Sequence, residues 1–544
     1  MKKKLYRALA LGLCAASFAG VATGCKKGKV DNSEKTVEVF LYNAGYGRKW
    51  LDKIVEKFEE KTEYDVVVKE QASSDALESM VKAGGDNTTT DLFIVGELWD
   101  RYIQLGEKAV KGYDFCLEAL DDLYEEKVPG EEVTIAEKMN QSVYDFQAIE
   151  VAIGGEIVEK RFSFPWGAGW GGLIYNKALF TKAGLTHEPR TTDELFEFCE
   201  TLKGEPNKIT PFIYSAGDDY FEYTAEIWWT QYATLKGRDN WHNLKLHDTF
   251  MPEPTASMQI FDDEGLYEML CVFEGLLDPA KGYVDKLVES YEYTTAQAKF
   301  FDGQGAIMPN GDWLENEMAN AAGGMKVGEI EPMRTPIISA LSDKLSYWAE
   351  DTNYTQAKAT MGAAKKAEYD NKLRALVDYV DGVTTTLPEG TTTGDAEIVR
   401  AARRVTYNGA NLLNAAIPVY STAKVGAKEL LKYFATDEAI EIYMNNTHGC
   451  TFPFEYDYKS WSGYASSSNF TKKALDIKAN ADYLDFATKY RSVGVGGLGS
   501  RAGRFSIWFG AQDNATRKSA AEWIKQIKNQ NKNDMANIIA SLEP

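Results

Sequence analysis

Rings accompanied by amides and carboxylates recur in this 544-residue chain where strand-like runs end. Asn310-Gly311-Asp312-Trp313 follows the run Gln304 to Met308, which puts Trp313 at a lobe edge with Asn310 and Asp312 beside it. Phe164 to Gly172 carries Trp166 and Trp170 among glycines, and glycine lets backbone approach a ligand closely. Glu97, Trp99 and Asp100 follow the apolar run Asp91 to Gly96, and Tyr46 follows Thr36 to Tyr42. Both groups fall beyond strand carboxyl ends, where open α/β sheets bind ligands. Such rings offer flat apolar platforms, and planar amides and carboxylates beside them offer hydrogen-bond partners, a combination suited to binding a ligand without chemistry. Each residue also has a plainer role open to it. Asn310 serves a turn, Asp312 caps a helix, Trp166 and Trp170 wedge a hinge, and Asp100 pairs with Arg101.

Catalytic patterns are weak by comparison. Gly494 to Gly499 is a literal GxGxxG, but a helix-like stretch precedes it and no βαβ unit follows, so it reads as loop. There is no G-x-S-x-G or H-E-x-x-H, and His187, His242, His247 and His448 have no metal spacing. No cofactor or metal is expected, and the chain is not expected to be an enzyme. Two well-placed carboxylates would make a glycosidase, and 81 acids leave that rival open.

The elements that must position these residues read as α/β. Thr36 to Tyr42 alternates as a strand, and Tyr64 to Glu70 is strand-like. Arg48 to Lys61 puts Trp50, Leu51, Ile54, Val55 and Phe58 on one helical face. With a helix to Ala83 and the strand Asp91 to Gly96, this start predicts parallel strands. A second run has strands at Gly172–Tyr175, Thr210–Tyr214 and Gln304–Met308, with a capping box at Thr191 to Glu194. Lys344 to Tyr379 is helix-rich, Asn414 to Tyr420 strand-like, and the C-terminal part helical. Cys116, Cys199, Cys271 and Cys450 allow three pairings, and apolar helical surroundings mark Cys199 and Cys271 as buried thiols.

The amino terminus sets the address. Lys2, Lys3, Lys4 and Arg7 precede fifteen uncharged residues, Ala8 to Ala22, too few to span a bilayer but right for a signal segment. Ala22-Thr23-Gly24-Cys25 resembles a bacterial lipobox, with Ala22 where Leu is usual, so Cys25 is expected to carry a lipid. Two acyl chains anchor stably where one does not. The formal charge of −21 becomes four units more acidic once residues 1–24 are removed. That field repels nucleic acid and anionic lipid.

Three segments together carry a family resemblance. Gly172 to Gly184 with Pro189 to Leu195, Ala298 to Trp313, and Ala427 to Glu438 resemble, in order, the motifs of family 1 extracellular solute-binding proteins of bacterial ABC importers. The resemblance implies an α/β fold of two lobes, a periplasmic-binding-protein-like class II clamp hinged over an interlobe cleft. It implies Trp313 as the G-x-W aromatic that stacks on sugar, and Trp508 as similar to the late C-lobe aromatic of maltodextrin binders. It implies a carbohydrate ligand, an oligosaccharide by the surplus of rings, and an ABC permease as partner. The expected protein is a monomer, lipid-anchored on the outer face of the cytoplasmic membrane. Expected boundaries are a leader at 1–24 and a tether at 25–35. An N-lobe takes 36–165 plus about 335–460, with an insertion at about 340–404, and a C-lobe takes 166–334 plus about 461–544. The insertion departs from compact maltodextrin binders. A surface adhesin for a protein partner is the rival from another class.

Overall fold

The computed structural model describes residues 34–42, 45–71, 77–84, 88–96, 113, 115–153, 156–217, 220–242, 263–319, 329–408, 413–479, 481–484 and 505–529. Glu97, Trp99, Asp100 and Cys25 lie outside them.

Two mixed sheets organise the chain, each with its own core. The N-lobe begins with β1 (Thr36–Tyr42), α1 (Lys49–Lys61), β2 (Asp65–Gln71) and β3 (Leu92–Val95). α1 buries Trp50, Leu51, Ile54, Val55 and Phe58, the stripe that 3.6-residue periodicity dictates. β3 is buried along its whole length, as a central strand covered on both faces must be. β1 runs parallel to β2 (Val37 opposite Val66) and to β3 (Phe40 opposite Phe93). A hairpin of β4 (Ala148–Ile153) and β5 (Glu156–Arg161) stands apart, and β6 (Phe164–Pro165) ends this first pass.

The C-lobe opens with β7 (Trp170–Asn176), the buried centre of the second sheet. α2 (Thr192–Lys203), α3 (Phe221–His242) and α4 (Glu264–Leu277) follow, then β8 (Ile307–Gly311), α5 (Leu314–Met318) and β9 (Ile330–Met333). β7 pairs antiparallel with β8 (Leu173 opposite Pro309) and with β9 (Leu173 opposite Met333). The run Thr210 to Tyr214 is not a strand; only Phe212 forms bridges, to Val284 and Ile307. Thr191 caps α2 by accepting from Glu194 N, but Glu194 turns its carboxylate to Arg190, so the expected capping box is only half made.

The segment 340–404 joins the C-lobe core. Its helices α6 (Ala363–Val380) and α7 (Thr393–Arg404) contribute Leu373, Leu376, Val377, Ala396 and Val399 there. The expectation had grouped it with the N-lobe. The side chains that fix its place are on α2, where Asp193 accepts from Tyr354 Oη at 2.8 Å and Lys358 Nζ at 2.5 Å.

β10 (Val405–Asn408) is still in the C-lobe sheet, while β11 (Asn414–Ala416) lies antiparallel to β3 and β6. α8 (Lys424–Phe434) and α9 (Asp437–Asn446) pack on the N-lobe core. α10 (Asn469–Ala479) and β12 (Asp482–Leu484) return to the other lobe, β12 lying parallel to β10. The chain therefore passes between the sheets after β6, after β10 and after α9. Backbone bonds tie these crossovers together: Trp166 N donates to Leu413 O at 2.9 Å and Ala168 N to Thr451 O at 2.8 Å. Cys116, Cys199, Cys271 and Cys450 are all free thiols.

Candidate functional site

The first crossover brings both lobes to one point. A Cβ at Gly169 would lie 2.9 Å from Tyr46 Oη, on the loop after β1, and 3.0 Å from the Trp313 ring, which follows β8. Only glycine allows that approach. Trp313 is 9% exposed, and Tyr223 meets it edge-on with ring centroids 5.7 Å apart. Tyr220 meets it at 6.5 Å from a left-handed backbone (φ 49°), a conformation that costs a non-glycine residue energy and is held by its surroundings. Tyr223, Ile227 and Trp313 all join the N-lobe core although their strands and helices belong to the C-lobe, so the two lobes are in contact here. A second interlobe contact lies beside this one. Asn316 Nδ2 donates to Gly45 O at 2.8 Å, and a Cβ at Gly45 would collide with the Glu317 carboxylate.

Asp312 does not cap α5. Its Oδ2 accepts from Lys478 Nζ at 2.6 Å, and the pair is 5% and 0% exposed. Lys478 also donates to Thr451 Oγ1 at 2.9 Å and approaches Ala168 O at 3.4 Å, so one ammonium joins two crossovers to the turn that carries Trp313. Burial works against its charge, but Asp312, Tyr458 and Cys450 prevail and hold its pKa up. Glu317 has no such partner. Burial pushes its carboxyl up to about 7, opposed only by the bond from Gln297 Nε2 at 2.7 Å.

The expected residues separate in space. Tyr46 and Trp313 converge on Gly169, and Asp312 lies near enough to Tyr46 to add to the burial that raises its phenol. Trp166 supports them from within the N-lobe core: it stacks on Trp50 at 5.4 Å and 11°, and its indole nitrogen donates to Val95 O at 2.8 Å. Trp170 is buried in the C-lobe core, and its carbonyl accepts from Asp312 N at 2.9 Å. Asn310 lies within β8 and turns its Oδ1 to Gly311 N at 2.8 Å, not into the seam. Trp508 packs half-buried at the edge of the C-lobe core, beside Phe505. Tyr220, Tyr223, Tyr443, Glu317 and Lys478 are additions. Tyr443 and Lys478 sit at core positions of α9 and α10, so spacing alone marks them as packing residues.

Beside the crossovers an open cleft of about 1100 Å³ is lined by both lobes, with Lys138, Tyr456 and Tyr458 on one side and Arg404 and Ala479 on the other. Among the described residues no group of three or more His, Cys, Asp or Glu is placed to hold a metal ion.

Two sheet-centred lobes joined by three crossovers, with an aromatic seam between them, make the architecture of a two-lobed clamp. Residues 44–441 match the bacterial extracellular solute-binding protein family, and the chain belongs to it. Solved structures share the fold. Maltose-bound MalE3 of T. maritima is 16% identical with a TM-score of 0.54, covering 91% of this chain and 99% of its own. A chitin oligosaccharide binding protein is 16% identical with a TM-score of 0.56, covering 92% and 99%. A probable secreted solute-binding lipoprotein from Streptomyces coelicolor is 13% identical with a TM-score of 0.55, covering 92% and 99%. No curated protein sequence matches the chain.

Proposed function

We propose that this solute-binding protein captures a carbohydrate, an oligosaccharide by its abundance of rings, between its lobes and delivers it to an ABC permease without chemistry of its own. The observation that carries this reading is the Trp313 ring at the interlobe seam, framed edge-on by Tyr223 and Tyr220 and set against Gly169. A sugar ring entering the open clamp finds a flat apolar platform, with the Asp312 carboxylate and the Tyr46 phenol at its rim. Fold neighbours that bind maltose and chitin oligosaccharide favour the same ligand class.

The basic leader and the Ala22-Thr23-Gly24-Cys25 sequence support a lipid on Cys25 and a place on the outer face of the cytoplasmic membrane, with residues 25–35 as tether. Among the described residues no helix is long and apolar enough to cross a membrane. A monomer suffices, because both halves of the seam come from one chain.

A glycan array probed with the mature protein, followed by calorimetry on the hits, tests the reading. Neutral oligosaccharides are expected to bind without release of new reducing ends. Failure to retain any glycan would overturn the ligand class, and turnover would overturn the role.

A further inference from the structure

Three polar atoms are stranded at the seam. Tyr46 Oη, Tyr443 Oη and Asp312 Oδ1 are buried, and none has a hydrogen-bond partner among the described residues. They are neighbours. Burial raises the Tyr46 phenol, with Asp312 and Tyr443 adding to it, and Asp312 adds to the burial that raises Tyr443. The two phenol rings stack at 6.2 Å. They face the first crossover, where a Cβ at Gly169 would lie 2.9 Å from Tyr46 Oη and one at Gly167 3.4 Å from Tyr443 Oη. Both tyrosines belong to N-lobe elements, while Asp312 follows a C-lobe strand.

A buried polar atom without a partner is costly, and water satisfies it when the clamp opens. Closing on nothing therefore carries a penalty at all three atoms. A hydroxyl relieves it, because it donates to Asp312 Oδ1 and accepts from a phenol at the same time. The Lys478 ammonium already answers the Asp312 charge, so a cationic ligand gains little there, and an anionic one meets a carboxylate.

We propose that Tyr46, Tyr443 and Asp312 act as a closure sensor, opposing an empty closed clamp and accepting one hydroxyl of a neutral polyhydroxylated ligand. Tyr443 is then a specificity-determining residue. The identity of the guest rests on the carbohydrate reading, whereas the effect on the empty clamp does not.

Tyr443→Phe removes one stranded atom and keeps the ring, and circular dichroism checks the fold. Two-colour energy transfer between labels on the lobes reads the ligand-free clamp, where the ratio of closed to open molecules should rise at least about fivefold. Calorimetry with maltotriose and chitotriose reads the guest, and affinity for whichever binds should fall about fivefold. A closed-to-open ratio that stays the same or falls, with affinity within twofold, would mean that a trapped water serves these atoms and would overturn the sensor. A raised ratio with neither sugar bound would keep the sensor and remove its carbohydrate guest. Sugar binding that is indifferent to Tyr443→Phe, with no change in the empty clamp, would remove the sensor and keep the carbohydrate reading.

Discussion

Two clusters of buried polar groups hold this protein together, one at the base of the 340–404 segment and one at the interlobe seam. At the base the groups meet in sets. Arg190 bonds both oxygens of Glu194 and reaches Asp378 at 2.6 Å, and Arg403 grips Asp381 with Nε and Nη2. Arg374 joins Glu197 and Asp370; among the described residues its Nε and Asp343 Oδ1 lack a hydrogen-bond partner, although Lys344 Nζ lies 3.7 Å from that Oδ1. At the seam the Lys478–Asp312 pair is made, yet Asp312 Oδ1 and two phenols are left over and Glu317 has only an amide. A network whose charges are nearly all paired suits a fixed joint. An unsatisfied one between hinged lobes suits a place where something else must arrive.

The largest effect should come from breaking the one charge pair that the seam does complete. Lys478→Met leaves Asp312 buried and unpaired, a loss of about 3–5 kcal/mol in a denaturant titration. Lys478→Met with Asp312→Asn should recover most of it. A double variant no more stable than the single would show that the ammonium acts through packing instead.

The base should behave differently. Arg190→Met is expected to cost about 2–3 kcal/mol of stability, because Asp378 loses the Arg190 guanidinium and Glu194 keeps only the more distant Arg374, at 3.7 Å. Glycan affinity should stay within twofold of wild type. A parallel fall in affinity would erase the distinction between the two clusters.

Glu317 gives a smaller effect with a defined sign. Its folded value of about 7 lies above the ordinary 4.5, so the carboxyl does not oppose folding below about pH 4.5. The opposition grows between about pH 4.5 and 7 and levels off above that. Glu317→Gln should therefore stabilise the protein by about 1–2 kcal/mol at pH 8, allowing for residual screening, and by nothing at pH 4. Equal effects at both values would place the carboxyl in water.

Much of the fold was legible because its signals are local. β1 spans the residues its alternation marks, and all five apolar positions of α1 are buried. Thr210 to Tyr214 reads as a strand too, but its neighbours offer bridges only at Phe212. The helices of 340–404 were visible, whereas their lobe was not, since Asp193 and Lys358 are 165 positions apart. The site divides the same way. Tyr46, Asp312 and Trp313 follow strands and so announced a cleft edge. Lys478 finds Asp312 across 166 positions from within a helix, and no spacing rule reports such a contact.

Carbohydrate binding at the seam around Trp313, as proposed above, stands or falls on calorimetry with one variant. Wild-type protein and Trp313→Ala are titrated with the tightest-binding neutral oligosaccharide from the array. Losing the stacked ring should cost about 2 kcal/mol of binding, roughly a 30-fold weaker affinity. An affinity within twofold of wild type would contradict the account and move the ligand away from Trp313.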